Sequence, residues 1–481
     1  MIQHNSNPVR ALFLEAPYSY GSADGLVGSY FPLGIGYLAA WLKQHGYAVD
    51  IVQPARGQSV DQALVDKLDS FKPTLVGISV MTPSYPQAVR LCEVIKKSDP
   101  SRRTVLGGHH ISAVGGEVLE QSPNTDFVVI GEGEQTLLEL ADALSAGKND
   151  LSDITGLGWR DADGRTHINP PRDFIADLDS LPHPARELVD MSRFGLHSYI
   201  DFGKRSATMV TSRGCPFKCM FCSSWLAMGS RYRWRSAESV LAEIRELVDV
   251  HKIDHIVFED DTMTLRRSRM IEICNALIDM PDSPSWYCLS RVDTMDLELA
   301  RLMRKARCRM VNFGIESGSP EILEKIGKKI SLDKAVDAVA ACTRAGLRTQ
   351  CTFIVGFPYD TDETMELTYR AAVRIKPTIA MFFPLTPYPG TRVFDEFMDP
   401  ALAPKTVGQW DKFIMTSGQG SISVNPDHSG QNICRIADRW NRRFFRRPSQ
   451  WFRLLRTVSS VGEFMRLAKG GLYLASTIFR K

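Results

Sequence analysis

Three cysteines share one short loop in the segment Cys215-Pro216-Phe217-Lys218-Cys219-Met220-Phe221-Cys222, with the spacing C-x3-C-x2-C. Residues 208–214, just before it, have the character of a β-strand that ends in a glycine turn. Three thiolates so spaced can bind three irons of a cubane cluster and leave the fourth iron without a protein ligand. Because an open iron can bind a small molecule, the segment predicts a catalytic cluster at the end of a strand.

Two other interpretations of this loop are open. A closed zinc site needs four ligands, and no further Cys or His follows Cys222 until His251. The three cysteines can also be unrelated buried thiols. The strand-to-loop setting favours the cluster over both alternatives.

The triad and its position after a strand resemble the radical S-adenosylmethionine (SAM) enzymes, whose hallmark is this cysteine spacing after the first barrel strand. In that family the amino and carboxylate groups of SAM chelate the open iron of a 4Fe–4S cluster. An electron from the cluster then cleaves SAM to a 5′-deoxyadenosyl radical. The resemblance implies that Cys215, Cys219 and Cys222 are the cluster ligands.

The composition of the chain is that of an ordinary globular protein. Its 481 residues are 44% hydrophobic and 23% charged, with a formal net charge of +3, so two or three domains are expected and no nucleic-acid partner is indicated. Residues 1–7 are polar and unlike a secretory signal, and no apolar run reaches the roughly 18 residues of a membrane span. The remaining cysteines fit reduced, buried thiols, so we expect a cytoplasmic protein.

Residues 1–147 alternate strand-like and helix-like patterns and predict an α/β domain with a Rossmann-like, doubly wound parallel sheet. Ligands of such sheets bind at the carboxyl ends of the strands. The predicted strands are residues 11–14, 49–52, 75–80, 104–107 and 127–130, and the predicted helices are 33–45, 59–71, 85–97, 112–121 and 134–146.

The strand ends of this region resemble the cobalamin-binding domain that precedes the barrel in one large radical SAM subgroup. The resemblance depends on four strings, which are 32–40 (PLGIGYLAA) with Gly46-Tyr47, 77–79 (GIS), 107–110 (GGHH) and 130–134 (IGEGE). It implies cobalamin contacts by Gly34, Ser79, Gly107, Gly108, His109, Gly131, Glu132 and Gly133.

The motif D-x-H-x-x-G, which supplies a histidine below cobalt in some cobalamin domains, does not occur in this sequence. His109 or His110 can be proposed as a lower ligand, but a turn histidine or one that lines the corrin is the favoured interpretation. Cobalamin is therefore expected in its base-off form.

Residues 148–204 form a proline-punctuated linker, and residues 205–392 return to the βα rhythm six times, which predicts a (β/α)6 partial TIM barrel. The predicted strands are residues 207–212, 254–260, 285–290, 309–315, 349–355 and 379–384. Residues at their carboxyl ends match positions that bind SAM in the resembling enzymes. These are Asp260, Asp261, Arg291, Glu316 and Gly356.

The roles implied for these residues differ in kind. An acidic oxygen of Asp260 or Asp261 would bind the SAM amino group, although two carboxylates here can also cap the next helix. Arg291 would hold the SAM carboxylate in a fork. Glu316 would accept both hydroxyl protons of the ribose, and Gly356 would lie beside adenine.

Residues 393–481 predict a helical C-terminal region with a basic end. From residue 435 onward there are 12 Lys and Arg residues against Asp438 and Glu463, with aromatic residues interleaved. A patch for RNA or for an anionic membrane is one interpretation, and peripheral membrane contact follows from it. The favoured alternative is a helical cap on the barrel with a solvated cationic face.

Together these features predict a cobalamin-dependent radical SAM enzyme with a 4Fe–4S cluster, SAM and cobalamin as cofactors. The expected reaction is methyl transfer to an unactivated carbon of a small-molecule or lipid substrate, supported by an external one-electron reductant of the flavodoxin or ferredoxin type. Oxidative cyclisation or rearrangement without methyl transfer is the alternative. A methylthiotransferase is disfavoured, because only Cys92 precedes Cys215, and a corrinoid carrier is disfavoured by the triad.

Overall fold

The computed structural model describes residues 9–18, 29–55, 57–195, 202, 205–414 and 422–458. Two separate sheets dominate these residues, one of seven strands near the N-terminus and one of six strands in the middle of the chain. Both are α/β layers, as the alternation of strand and helix patterns predicts.

The first sheet begins with five parallel strands in the order β2-β1-β3-β4-β5. This confirms the Rossmann-like prediction. Its strands are β1 Arg10–Glu15, β2 Ala48–Ile51, β3 Leu75–Ser79, β4 Arg103–Gly107 and β5 Phe127–Val129. Its helices are α1 Leu33–Gln44, α2 Val60–Phe71, α3 Tyr85–Ser98, α4 His109–Val114, α5 Glu117–Gln121 and α6 Glu134–Ser145.

Two features of this sheet differ from the prediction. The single helix expected over residues 112–121 is divided into α4 and α5 by Gly115 and Gly116, and Gly115 adopts a φ of +60°. The sheet also continues beyond residue 147 through an antiparallel hairpin, β6 Leu157–Arg160 and β7 Thr166–Ile168, that pairs with β5. The pairing of this hairpin with the parallel strands is a tertiary property.

The second sheet contains six parallel strands in the order β8-β11-β12-β13-β14-β15. Among the described residues no pairing joins β15 to β8, so the partial barrel is open, as six units predict. Its strands are β8 Ser206–Met209, β11 His255–Phe258, β12 Ser285–Ser290, β13 Cys308–Glu316, β14 Arg348–Val355 and β15 Ile379–Pro384. Its helices are α8 Ala237–Asp249, α9 Arg267–Asp279, α10 Leu297–Lys305, α11 Pro320–Lys325, α12 Leu332–Arg344 and α13 Asp362–Ile375.

Local sequence explains how these helices begin. Ser236 caps α8 by accepting a hydrogen bond from the Ser239 N–H, and the apolar residues of α8 that face the sheet are buried. Thr361 caps α13 in a reciprocal arrangement with Thr364. Short polar caps therefore set where the helices start, and the apolar stripe sets which face packs on the strands.

Between β8 and α8 the chain makes a detour that carries the cysteine loop. A short hairpin of β9 Ser212–Arg213 and β10 Arg233–Trp234 encloses the loop and the helix α7 Ser224–Met228. The strand predicted over residues 207–212 thus ends at Met209, and of its remaining residues only Ser212 belongs to the hairpin.

The described part of the C-terminal region packs against the open edge of the barrel. It contains α14 Arg392–Phe397, α15 Gly430–Phe445 and α16 Pro448–Leu455. The Asn441 side chain donates to the Phe382 carbonyl at 2.9 Å and accepts from the Phe382 N–H at 2.9 Å. One side chain thereby satisfies backbone groups of the edge strand β15, which would otherwise be free to pair with another chain.

Candidate active site between the two sheets

A cavity of about 370 Å³ lies where the carboxyl ends of the two sheets face one another. Strand ends of the first sheet contribute Glu15 and Ser79, and the barrel contributes Val210, Glu259 and Asp261. Ligands of parallel sheets bind at carboxyl ends of strands, so the cavity has the expected location for a shared site.

All eight residues predicted to contact cobalamin line this cavity; they are Gly34, Ser79, Gly107, Gly108, His109, Gly131, Glu132 and Gly133. They come from four separate segments of the chain, which the doubly wound sheet brings to one edge. A Cβ added to Gly34 would meet nothing within 4 Å, so the cavity wall is open at that point. The lining also presents carboxylates, which can accept hydrogen bonds from the amide groups of a corrin. The residues present therefore fit a large amide-bearing ligand.

The carboxylate of Glu132 is directed differently from the prediction. Glu132 accepts hydrogen bonds from Arg213 at 2.9 Å, from Arg233 at 2.8 Å and from the Ile175 N–H at 2.7 Å. Its side chain is buried and its oxygens are engaged within the protein. Glu132 thus lines the cavity but uses its charge to join the first domain to the β9–β10 hairpin.

The two neighbouring histidines have different surroundings. His109 lines the cavity, and burial lowers its pKa while the nearby Asp261 opposes that change. His110 is fully buried and packs between Tyr85 and Trp410, with ring centroids 4.5 and 4.8 Å away. Burial lowers the pKa of His110 to about 3, so it is neutral, and it does not line the cavity.

The three cysteines of the triad lie on the loop that leads into α7. Burial raises the pKa of Cys222 to about 12, and the negative charges of Asp261 and of the other two thiols add to this effect. The helix α7 contributes Ser224, Ala227 and Met228 to the cavity. Three thiols from one loop, none of them in a disulfide, are the donor set that an iron–sulfur cluster with an open iron requires.

The adjacent carboxylates Asp260 and Asp261 have separate functions. Asp260 is fully buried and accepts hydrogen bonds from the Thr211 N–H, from the Thr211 hydroxyl at 2.7 Å and from the Ser212 hydroxyl. It does not line the cavity, and residues of the chain occupy its oxygens, so its contact with SAM stays a prediction. Asp261 lines the cavity and accepts a hydrogen bond from Ser224 at 2.6 Å.

Arg291 lies against the cysteine loop, with its guanidinium carbon 3.6 Å from the centre of the Phe217 ring. Its fork binds Asp293, at 3.0 Å through Nε and at 2.8 Å through Nη2. The predicted residue is therefore beside the triad, but a carboxylate of the protein occupies the fork that was expected to hold SAM.

Glu316 ends β13 beside the triad and is paired with Lys328 at 2.8 Å. Both side chains are about 10% exposed. Burial raises the pKa of the Cys219 thiol, while the charge of Lys328 opposes this rise and that of Glu316 adds to it, so both groups lie near this cysteine. Glu316 has a φ of +70°, an uncommon conformation for a residue with a side chain and one that concentrates at functional sites.

Gly356 at the end of β14 is required by packing against the C-terminal region. Its φ is +89°, and a Cβ would lie 2.8 Å from a methyl group of Ile433 on α15. Its N–H donates to Asp360 at 3.1 Å. The positive φ and the close approach of Ile433 explain why glycine occurs at position 356. Gly356 does not line the cavity described above.

Four residues at or beside the cavity were not predicted from the sequence. Glu15 and Glu259 present carboxylates to the cavity, and neither carboxylate accepts a hydrogen bond from another residue that the structure describes. Lys328 and Arg213 hold predicted residues in place through ion pairs. Glu259 alone had a sequence signal, because it precedes the Asp260-Asp261 pair at a strand end.

Comparison with known proteins identifies the family. The radical SAM superfamily model matches residues 209–372, and the B12 binding domain model matches residues 25–141. An uncharacterized methyltransferase of Pyrococcus horikoshii is 35% identical over 388 residues, which cover 80% of this chain and 83% of that protein. The chain belongs to the cobalamin-binding radical SAM family.

Within this family, a relative with a different reaction is also similar. The anaerobic magnesium-protoporphyrin IX monomethyl ester cyclase of Rubrivivax gelatinosus is 32% identical over 396 residues, which cover 81% of this chain and 70% of the cyclase. A solved structure of the radical SAM methyltransferase TsrM from Kitasatospora setae, with cobalamin and a [4Fe–4S] cluster bound, matches 89% of this chain and 85% of that one. Its TM-score is 0.67 at 21% identity, which demonstrates a shared fold.

The described part of this radical SAM protein contains no helix long and apolar enough to cross a membrane.

Proposed function

We propose that this radical SAM enzyme transfers a methyl group from cobalamin to an unactivated carbon of a small-molecule or lipid substrate. One observation carries the proposal. A single cavity is lined both by the strand ends that match cobalamin-binding positions and by α7, which directly follows the cysteine triad. Centres that exchange a radical and a methyl group must share such a space.

The residues that would hold each group are distinct. Cys215, Cys219 and Cys222 would bind the cluster, and the glycine-rich strand ends of the first sheet would bind cobalamin. When bound, the cluster with SAM supplies hydrogen abstraction and cobalamin supplies the methyl group. The protein contributes position and a site shielded from bulk water.

For SAM, the geometry favours Asp261 and Glu316. Asp261 faces the cavity three residues past the end of β11 and lies near the triad, so its carboxylate could bind an ammonium group. Glu316 is held beside Cys219 by Lys328, which fixes its carboxylate for a diol. Arg291 would bind a SAM carboxylate only if the Asp293 carboxylate gave up one of its two hydrogen bonds to the Arg291 guanidinium.

The cluster needs electrons, and we infer an external one-electron donor of the flavodoxin or ferredoxin type. The positive charges of the C-terminal region can attract an acidic electron-donor protein. Titration of the reconstituted cluster with reduced flavodoxin, followed by the loss of its visible absorption, would test this partner.

A related reaction without methyl transfer is the second candidate, because the Rubrivivax gelatinosus cyclase is nearly as similar as the Pyrococcus horikoshii methyltransferase. The two candidates differ in what happens to the methyl group of SAM. A methyltransferase consumes one SAM as a methyl donor and one as a radical source, whereas the cyclase does not use SAM as a methyl donor.

The experiment that separates them does not need the substrate. The anaerobically reconstituted enzyme is supplied with reduced cobalamin and SAM labelled on its methyl carbon. A methyltransferase is expected to move the label to cobalamin and to release one S-adenosylhomocysteine for each methyl group. Release of 5′-deoxyadenosine without any S-adenosylhomocysteine would contradict methyl transfer and support cyclisation or rearrangement.

A further inference from the structure

The helix α16 exposes three large apolar side chains. Trp451, Phe452 and Leu455 are 48%, 62% and 50% exposed. At about 100° per residue these positions fall at 0°, 100° and 40° around the helix, so they share one face. Together they form an apolar ridge, which is the name used below for these three residues.

Four arginines lie on α16 or within two residues of its ends. Among the residues that the structure describes, none of Arg446, Arg447, Arg453 and Arg456 forms an ion pair with a carboxylate. Partial burial and the positive charge of Arg447 together lower the pKa of Arg453, which means that these two like charges lie close to each other. Arg456 lies over the Phe452 ring at 5.3 Å. A cluster of this kind has an excess of positive charge that an anion can neutralise.

The ridge is held firmly by the barrel. The Gln450 amide donates to the Pro377 carbonyl at 3.1 Å and to the Thr378 carbonyl, and Arg348 donates to the Thr457 hydroxyl at 2.7 Å. Pro377 and Arg348 lie at the amino ends of β15 and β14, opposite the carboxyl ends that form the cavity. A partner on α16 would therefore leave the active-site side of the barrel uncovered.

We propose that the apolar ridge and its arginines bind the surface of an anionic phospholipid bilayer. Exposed Trp, Phe and Leu side chains can enter the boundary between headgroups and acyl chains, while arginines beside them pair with phosphates of anionic lipids. Charge complementarity identifies the lipid as anionic. The aliphatic Leu455 favours a bilayer over single-stranded RNA, because RNA bases stack on aromatic and guanidinium faces.

The test measures binding of the full-length protein to vesicles by flotation. Vesicles of phosphatidylcholine alone are compared with vesicles that also contain phosphatidylglycerol. Binding is expected only to the anionic vesicles and is expected to weaken as salt is added. Arg447→Gln with Arg456→Gln should weaken binding about 20- to 30-fold, since each basic residue near an anionic surface contributes roughly fivefold. Trp451→Ser with Phe452→Ser should weaken it at least about tenfold.

Matched controls exclude general effects of charge and of exposed apolar area. Arg245→Gln with Arg301→Gln removes two exposed arginines of α8 and α10, and Val250→Ser removes an apolar side chain that is 67% exposed. Both control proteins are expected to bind as the unaltered protein does. Because every substitution is on the surface, thermal unfolding of all variants should remain the same within about a degree.

Three results would overturn the proposal. In the first, the protein does not bind anionic vesicles. In the second, it binds them equally well after each of the two double substitutions. In the third, the ridge substitutions abolish self-association or RNA binding and leave vesicle binding unchanged. The last result would assign the surface to a second copy of the chain or to nucleic acid.

Discussion

The guanidinium of Arg213 lies 2.7 Å from the Glu134 carboxylate and 2.9 Å from that of Glu132. Arg213 is two residues before Cys215, whereas Glu132 lies in the loop that follows β5 of the first sheet and Glu134 is the first residue of α6. The three side chains are all buried. This contact fixes the start of the cysteine loop relative to the predicted cobalamin edge, so it determines how the two halves of the site face each other.

Arg213→Met is expected to destabilise the protein strongly. Glu132 keeps its pair with Arg233, but the buried Glu134 is left without an opposite charge, which costs about 3–5 kcal/mol in comparable cases. The free energy of unfolding by urea is the measurement. Lys325→Met is the control, because its pair with Glu321 is on the surface and is worth less than about 1 kcal/mol. Equal effects of the two substitutions would show that the Arg213 pairs do not stabilise the domain contact.

Replacement of Cys215, Cys219 and Cys222 by Ala should abolish cluster assembly. The unaltered chain is expected to hold about four irons and four sulfides after anaerobic reconstitution. The variant should lack the visible absorption of the cluster and should not cleave SAM. Cys92→Ala, in the core of the first domain, should retain both properties. Formation of 5′-deoxyadenosine by the triple variant would refute the assignment of the triad.

Glu316→Gln should weaken SAM binding while the cluster remains intact. The substitution keeps the size of the side chain but removes a charge-assisted hydrogen bond worth about 1.5–3 kcal/mol, so affinity should fall about 10- to 100-fold. Equilibrium binding of SAM to the reconstituted protein is the measurement. Glu321→Gln, a surface residue of α11, serves as the control. An unchanged affinity would mean that Glu316 serves only to pair with Lys328.

Bound cob(II)alamin should lack a histidine ligand. The sequence has no D-x-H-x-x-G motif, and His110 is packed away from the cavity between Tyr85 and Trp410. The electron paramagnetic resonance spectrum is therefore expected to show no nitrogen superhyperfine splitting from a protein histidine. Splitting that is lost in His109→Ala but kept in His110→Ala would instead identify His109 as the lower ligand.

Glu259 should make stability depend on pH. Burial, together with the Asp260 charge, raises the pKa of Glu259 from 4.5 to about 7. Between these values the folded protein retains a proton that the unfolded chain has released, so stability falls as pH rises from about 4.5 to 7. Glu259→Gln should remove this decline and raise the melting temperature most at pH 8.

The exposed Glu298 provides the comparison, since Glu298→Gln should leave the pH dependence of the melting temperature unaltered. Identical pH profiles for Glu259→Gln and the unaltered protein would mean that the cavity hydrates Glu259 fully. Because the carboxylate faces the cavity, water there screens part of its charge, and the effect is expected to be smaller than for a carboxylate packed among apolar groups.

Local patterns of apolar and polar residues in the sequence predicted much of the architecture. Apolar runs of strand length alternate with amphipathic helices, and parallel βα units have few ways to pack, so both sheets follow from the sequence. The cysteine spacing and the glycine-rich strand ends are also local signals. The glycine-rich strand ends do line one cavity, because the carboxyl ends of parallel strands meet at one edge.

The use of each charged side chain was decided only by tertiary structure. Asp260 and Asp261 are adjacent in sequence, yet one is bound by Thr211 and Ser212 and the other faces the cavity. Glu132 has the expected position but pairs with Arg213, about 80 residues away in the chain. A buried charge must find an opposite charge or a hydrogen-bond donor wherever the fold supplies one, and no sequence spacing records that partner.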